Sequence, residues 1–495
     1  MASHSEVLDA ILRRDLSSFI AKCITTLEPG AVFRPNWHNH CLAHHLTRVT
    51  DGEITRLILN VPPRAGKSLS TSVAYTAWAL GHDPSLKIMC LSYSGELARE
   101  HALNFRAIVE SDWYRRLFPG VSFQRRRNRI METVTSAHGG RFASGIGGSV
   151  LGRGADLIII DDPIKAQDAL SEAERRRVNL FYDNTVYTRL NQKTRGAIII
   201  VMQRLHEDDL VGHVLAKEAW EVVAIPAIET EDREYRIGPE PENIYLRRAG
   251  ELLYPEREPP EVLDQLRRNL GSMGFSAQYQ QNPLPMEGNV IKREWLRYYE
   301  TEPEEFDLVM TSWDTASTLE EDSDYSVGTV WGLRGHEIYL LDVIRGRFEV
   351  PDLRRRIEDV HRHHRAHMTL IEDTELGRAL LHELRRHGSC RPMLHRPHYD
   401  KQARLLAQSP KFEAGQVLLP REAPWLAAYV AELLAFPNGM HDDQVDSTSQ
   451  ALNWLSQRMA SLERRPRPNP ERRNMERRNM ERRNMTRIQG YYRQP

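Results

Sequence analysis

The chain has 495 residues, with 67 Lys and Arg against 68 Asp and Glu, for a net charge of −1. Hydrophobic residues make up 40% and charged residues 27%, which excludes a wholly disordered or collagen-like chain. The length suits about three domains, or two large ones. The longest apolar runs, 157–160 and 197–202, fall well short of the roughly 18 residues a membrane helix needs. The N-terminus has no apolar core of signal-peptide length, so a cytoplasmic chain with no membrane association is expected. Cys23, Cys41, Cys90 and Cys390 form no CxxC pair, which speaks against a zinc ribbon or a disulfide framework.

In chain order, 56–61 (RLILNV) reads as a buried strand ahead of a Pro/Gly loop, and 68–80 as a helix. A second buried strand is predicted at 87–93, a helix at 96–110, and further strands at 157–160 and 197–202. Strands alternating with helices predict a parallel sheet covered on both faces. From 229 to 260 the chain turns polar and rich in Pro and Glu, the mark of a peripheral excursion or linker. A second alternating region starts near Leu308 and runs through 326–331, 337–343, a helix at 352–364 and a strand at 369–372. That pattern predicts a hairpin, a crossover helix and a returning strand, with a last helix after His441. Beyond Glu463 the motif ERRNM occurs three times, a five-residue period that fits neither an α-helix nor a heptad. This tail is read as disordered. The predicted divisions are 1–265, a linker at 266–302, a second domain at 303–462 and a tail at 463–495. Residues 464–495 hold 11 Arg and 3 Glu, a net +8, which leaves −9 on the rest. The near-zero total is therefore a sum of opposed parts and does not exclude a nucleic-acid partner.

Val61-Pro62-Pro63-Arg64-Ala65-Gly66-Lys67-Ser68 lies between a predicted strand and a predicted helix, the context of a phosphate-binding loop. Its amides and the helix N-terminus would cradle phosphates. Lys67 would reach the β- and γ-phosphates and Ser68 would ligate Mg²⁺. Val61 stands where the usual pattern has Gly. The strand 157–160 ends in Asp161 and Asp162. Asp161 would meet the Mg²⁺ beside Ser68, and Asp162 would orient the attacking water. The glycine-rich stretch 145–154 is read as a mobile loop near the phosphates, with Arg153 an arginine-finger candidate in its own or a neighbouring subunit, or else a surface arginine. Gln203-Arg204-Leu205-His206-Glu207-Asp208-Asp209-Leu210 follows the next strand, where a motor senses hydrolysis.

A second acidic set comprises Asp314 at one strand end, Glu372 and Asp373 at another, and Asp442, Asp443 and Asp446 at a helix start. Spacing of three or four places Asp442 or Asp443 on one helix face with Asp446. Carboxylates converging from three elements need cations. Two Mg²⁺ or Mn²⁺ about 4 Å apart would neutralise them and stabilise in-line displacement at a phosphodiester. The sets His38, His40, Cys41, His44, His45 and His361, His363, His364, His367 match no structural zinc spacing and are read as solvated helix faces.

These motifs in this order resemble the large terminase subunit of tailed bacteriophages over roughly residues 30 to 455. The resemblance rests on 61–68, on Ile160-Asp161-Asp162-Pro163, on 204–210, on Phe275-Ser276-Ala277-Gln278-Tyr279-Gln280-Gln281-Asn282-Pro283, and on Asp314, Glu372, Asp373, Asp442 and Asp443. It implies an α/β fold: an additional-strand P-loop ATPase followed by an RNase H-like nuclease. Residues Arg64, Gly66, Lys67, Ser68 and Asp161 would bind ATP and Mg²⁺. Many family members carry Glu at the place of Asp162, and Thr where Met202-Gln203-Arg204 stands here. The nearest counterpart of the adenine-contacting stretch is 33–38. The implied function is ATP-driven packaging of double-stranded DNA into a prohead with cleavage of concatemers. The implied partners are DNA, a portal protein, a small terminase subunit and a pentameric ring of copies. Other readings are a helicase-nuclease of repair or phage defence, disfavoured by the single P-loop, and an inactive prophage remnant that only binds DNA or portal, disfavoured by intact motifs.

Overall fold

A computed structural model describes residues 4–30, 34–124, 129–284, 288–315, 325–388, 390, 392–439 and 441–463. The ERRNM tail lies outside the described residues. The chain forms two compact units. The first comprises Met1–Leu296 with two returns, His398–Gly415 and Leu434–Asn438; the second comprises Arg297–Pro397, Gln416–Leu433 and Gly439–Pro495.

The first unit is built on a seven-stranded sheet of β1 (Arg56–Asn60), β2 (Lys87–Ser92), β3 (Glu132–Val134), β4 (Gly140–Gly145), β5 (Leu157–Asp161), β6 (Ala197–Met202) and β7 (Glu221–Ala224). Its order is β3-β4-β2-β5-β6-β1-β7, with β3 alone antiparallel to its neighbour. β6 thus separates β1 from β5, the arrangement of an additional-strand ATPase. β5 and β6 are buried along their whole length, which explains their uninterrupted Ile and Val runs. The helix after β1 opens with a π-type stretch, Leu69–Tyr75, and continues as Thr76–His82. Its fully buried Tyr75 packs in the same core as Leu57 and Leu59 of β1.

One sequence expectation is narrowed here and another corrected. Of the two readings of the polar stretch after residue 229, it is an excursion and no linker: β8 (Arg233–Arg236) and β9 (Ile244–Arg247) form an antiparallel hairpin. Arg247 is fully buried beside Glu229 at 3.4 Å and lies under the Trp37 ring at 5.6 Å. Trp37 also stacks on Tyr245 at 4.7 Å. A few buried residues, Glu229, Tyr235 and Arg247, hold the stretch in place, and average polarity conceals them. Nor is the histidine-rich helix Trp37–Thr50 a solvated face: His38, Cys41 and His45 are buried. In the second histidine set, His361 bonds Thr369 at 2.9 Å, His364 reaches Asp342 at 3.3 Å, and His367 accepts from the Val309 amide at 3.0 Å.

The second unit holds β10 (Arg297–Tyr299), β11 (Leu308–Asp314), β12 (Ser326–Arg334), β13 (Glu337–Gly346), β14 (Met368–Glu372), β15 (Met393–His395) and β16 (Val417–Pro420). Their order is β10-β16-β13-β12-β11-β14-β15. β11, β12 and β13 form an antiparallel meander; β14 then returns parallel to β11 after the helix Val350–His363. Trp313 and Trp331 are fully buried, and their indole N–H groups donate to Thr311 and Thr329 at 3.2 and 2.8 Å, so burial leaves no orphan donor. No helix among the described residues is long and apolar enough to cross a membrane.

Two candidate functional sites

The loop 61–68 leaves the C-terminal end of β1. Arg64 and Gly66 both take left-handed backbone, at φ 60° and 78°. At Gly66 no side chain is tolerated without strain. The loop is tied down from behind: buried His38 lies 3.3 Å from the Ala65 carbonyl through Nε2. Tyr254 Oη meets the same nitrogen at 3.0 Å, and Arg257 donates to the Arg64 carbonyl at 2.8 Å. Burial drives the His38 pKa down to about 3, so its ring is neutral. The Arg64 side chain itself is exposed.

Lys67 is buried; its Nζ donates to Gln203 Oε1 at 2.5 Å and stands 3.4 Å from the Asp162 carboxylate. Asp161, at the end of β5, accepts from Ser68 Oγ at 2.9 Å and from Ser72 Oγ at 2.6 Å. Parallel pairing delivers Asp161 and the loop after β1 to the same end of the sheet. Burial pushes the Asp161 pKa up, opposed by the bonds from Ser72 and Ser68. Asp162 is pushed up to about 6 by burial, opposed by Lys67. Its φ of 44° is unusual for a residue with a side chain and marks backbone held in place by its surroundings. His101 Nδ1 lies 3.5 Å from Asp161, but burial and then Arg141 lower its pKa to about 4, so no ion pair forms at neutral pH. A hydroxyl and a carboxylate side by side are hard oxygen donors suited to Mg²⁺.

Arg153 is not gathered here. Its guanidinium takes both oxygens of Glu132 on β3, at 2.7 and 3.2 Å, and lies 4.0 Å over Phe142 of β4. The connector holding it must run back along the sheet, because β4 and β5 are both parallel to β2. Only its first glycines lie at the loop end. The stretch 203–210 is tied to the rest of the unit: Arg204 pairs with Asp209 at 2.9 Å, and its amide donates to Gln281 Oε1 at 3.0 Å. His38 lies in the stretch 33–38 singled out in sequence, though not for holding the loop; sequence reasoning missed Ser72, His101, Arg141, Tyr254 and Arg257. Ser72 had a signal, being four residues from Ser68 on one helix; the others are brought in by tertiary structure alone.

In the second unit, β11 ends at Asp314 and β14 at Glu372, and the two strands are parallel neighbours with Trp313 opposite Ile371. The helix Asp443–Glu463 docks on β11 and β12 through polar groups. Ser447 Oγ donates to the Ser312 carbonyl at 2.7 Å and meets Thr329 Oγ1 at 2.8 Å, and Gln450 donates to Ser312 Oγ at 3.1 Å. That docking brings buried Asp443 and Asp446 to Asp314. The Asp314 carboxyl is pushed well above the usual range, first by burial, then by Glu372, Asp446 and Asp443. Four acidic side chains thus share one region of field, and a divalent cation bound there would relieve their repulsion. The donors are all carboxylate oxygens, which suits Mg²⁺ or Mn²⁺. Asp373 faces elsewhere: Arg378 bonds it at 2.6 Å and holds its pKa below the ordinary value. Asp442 precedes the helix, half-buried, and its carbonyl accepts from the Asp446 amide at 2.9 Å. Glu432, missed in the sequence, caps this helix by accepting from the Gln444 amide at 2.7 Å.

The class is therefore a P-loop ATPase fold of the additional-strand type joined to an RNase H-like nuclease fold. Residues 311–455 match the family model of the terminase RNase H-like domain. No curated protein sequence matches the chain. Among solved structures, large terminase from the thermophilic bacteriophage D6E aligns over 83% of this chain and 98% of its own, at 11% identity, with TM-scores of 0.53 and 0.50 in two crystal forms. One form of that protein was solved with ADP, at a TM-score of 0.50, 11% identity and coverage of 83% and 98%. At such identity the likeness is one of fold, and the fold is that of a large terminase, as the motifs implied.

Proposed function

We propose that the chain is the ATP-driven DNA-packaging subunit of a tailed phage or prophage, and that it also cuts concatemeric DNA. The observation that carries this reading is that one chain holds both sites. Lys67, Ser68, Asp161 and Asp162 stand at the end of a parallel sheet, and Asp314, Glu372, Asp443 and Asp446 in an RNase H-like unit. The D6E relative, solved with ADP and with ATP-γ-S, supports nucleotide as the ligand of the first site.

In the first site Lys67 binds phosphate oxygens, and Ser68 with Asp161 would hold Mg²⁺. Asp162 accepts a proton from the attacking water, a role that its raised pKa suits near neutral pH. When Lys67 turns to phosphate, Gln203 is released, and through Arg204 and Gln281 this reaches the stretch 275–283 within the first unit. In the second site Asp314, Glu372, Asp443 and Asp446 would hold Mg²⁺ or Mn²⁺, which supplies charge neutralisation and a nucleophilic water. Asp373 and Asp442 take supporting places. Arg153, paired with Glu132, takes no part in the site of its own chain; a role as arginine finger for a neighbouring subunit would require that pair to break. The partners of this reading are double-stranded DNA, a portal protein, a small terminase subunit and further copies in a ring, pentameric by family resemblance.

Cleavage of plasmid with Mn²⁺ by the wild-type chain and by Asp314→Ala tests the nuclease. Loss of cutting in the variant is expected, and equal cutting removes Asp314 from the site. Lys67→Ala should lower ATPase turnover by roughly 100-fold or more; full activity would refute the loop assignment.

A further inference from the structure

Beside the carboxylates of the second unit lies a cluster of the opposite charge. Arg345 on β13 stands opposite Val327, which stands opposite Asp314. Ladder partners share a face of the sheet, so Arg345 lies on the side where Ser312 meets the helix Asp443–Glu463. Its Nη2 is 3.9 Å from Asp443 and 3.8 Å from Glu432, beyond hydrogen-bond length. Its guanidinium lies 4.1 Å over the half-buried Tyr325 ring. Arg347, two residues on and exposed, places its own guanidinium 4.9 Å from the same ring. Tyr325 also packs edge-on against exposed His441 at 5.7 Å, just ahead of Asp442 and Asp443.

Arg345 is the member next to Asp443, Arg347 is the exposed one, and Tyr325 touches both. An aromatic face holds a guanidinium without cancelling its charge. A DNA strand approaching a concentration of carboxylates is repelled, and a fixed cation at the rim offsets this over a few ångströms, within the range that salt leaves unscreened. Arg347 is the exposed member with a planar donor fork suited to phosphate oxygens.

We propose that Arg347, seated on Tyr325 with Arg345 behind it, contacts the phosphodiester backbone of DNA at the second site; this rests on the nuclease reading above. Arg347 is a binding residue for the strand and takes no part in holding metal.

The test is steady-state plasmid cleavage with Mn²⁺ by the full chain, as wild type, Arg347→Gln and Arg347→Lys, over a salt series. Mn²⁺ binding without DNA is measured by calorimetry in parallel. Arg347→Gln is expected to raise KM for DNA by roughly tenfold, with kcat largely kept. The slope of log affinity against log salt should fall by about 0.9 for the lost contact. Arg347→Lys should recover the slope, since it keeps the charge, and Mn²⁺ affinity should match wild type in both variants. Unchanged KM and slope in Arg347→Gln, with wild type cutting normally, would overturn the proposal and leave the nuclease reading standing. Weakened Mn²⁺ binding in that variant would also overturn it, because Arg347 would then act through the metal site. A wild-type chain that cuts no DNA would overturn the nuclease reading and this proposal with it.

Discussion

Asp162 shows how much one buried carboxyl fixes about the first site. Burial raises its pKa to about 6, while Lys67, 3.4 Å away, pulls it down. If its ionised form accepts the proton of the attacking water, kcat/KM for ATP should fall on acidification through about pH 6, since that profile reports the free enzyme. A flat profile from pH 5 to 8 in a rate series would remove Asp162 from that role. The linkage to stability has the opposite sense from that of a salt-bridged aspartate. The unfolded carboxyl titrates near 4 and the folded one near 6. Between these values the folded chain binds the extra proton, so the nucleotide-free protein loses stability as pH rises across that window. Asp162→Asn should reduce this slope in thermal melts, leaving the part that Asp161 and Asp314, also raised by burial, contribute. The same reasoning separates two adjacent acids in the other unit. Glu372 raises the Asp314 pKa, whereas Asp373 is engaged by Arg378 on the surface. Glu372→Gln should therefore cost at least about 100-fold in DNA cleavage, and Asp373→Asn less than about threefold. Equal losses in a plasmid assay would place Asp373 in the cluster after all.

Among the elements, strands were the most legible in sequence. The runs 157–160 and 197–202 are almost wholly apolar because β5 and β6 are covered on both faces, and both emerged within a residue of their predicted ends. The hairpin of β8 and β9 was not legible, since its stability rests on a few long-range contacts, such as Arg247 beneath Trp37, and a local average reads only Glu and Pro. The same limit hid Tyr254 and Arg257, which meet His38 and Arg64 from 216 and 193 residues away. The acidic set was legible as strand and helix ends, but its membership was not: nothing in the order Glu372-Asp373 tells which faces Asp314. Two elements give direct tests. Glu229→Ala leaves Arg247 charged and uncompensated in a dry site, so the first unit should lose about 3–5 kcal/mol in denaturant unfolding. An effect below about 1 kcal/mol would mean that water reaches the pair. Ser447→Val removes the hydrogen bonds from Ser447 Oγ to the Ser312 carbonyl and the Thr329 hydroxyl beneath the helix Asp443–Glu463. A loss of about 1–3 kcal/mol is expected, together with weaker cleavage as Asp443 and Asp446 shift.

For the whole molecule, charge is the property that no single unit reports. The total of −1 divides into +8 on residues 464–495 and −9 on the remainder. Part of that acidity is committed: Asp161, Asp162, Asp314, Glu372, Asp443 and Asp446 stand at sites that a bound cation would neutralise. The body carries 56 Lys and Arg, but 65 Asp and Glu outweigh them, so beyond local groups such as Arg345 and Arg347 a polyanion should draw much of its attraction from the arginine-rich tail. Each phosphate neutralised by an arginine releases counterions and steepens the salt dependence of binding by about 0.9. Deleting residues 464–495 should therefore weaken binding of a DNA duplex most at low salt, and should flatten the slope of log affinity against log salt. A tail engaging about four phosphates would take about 3.6 from that slope. ATPase turnover without DNA should not change, because the phosphate loop and its partners all lie between residues 38 and 281. Fluorescence anisotropy over a salt series measures the slope directly. An unchanged slope after deletion would assign DNA attraction to the folded units and leave the +8 without a part in it.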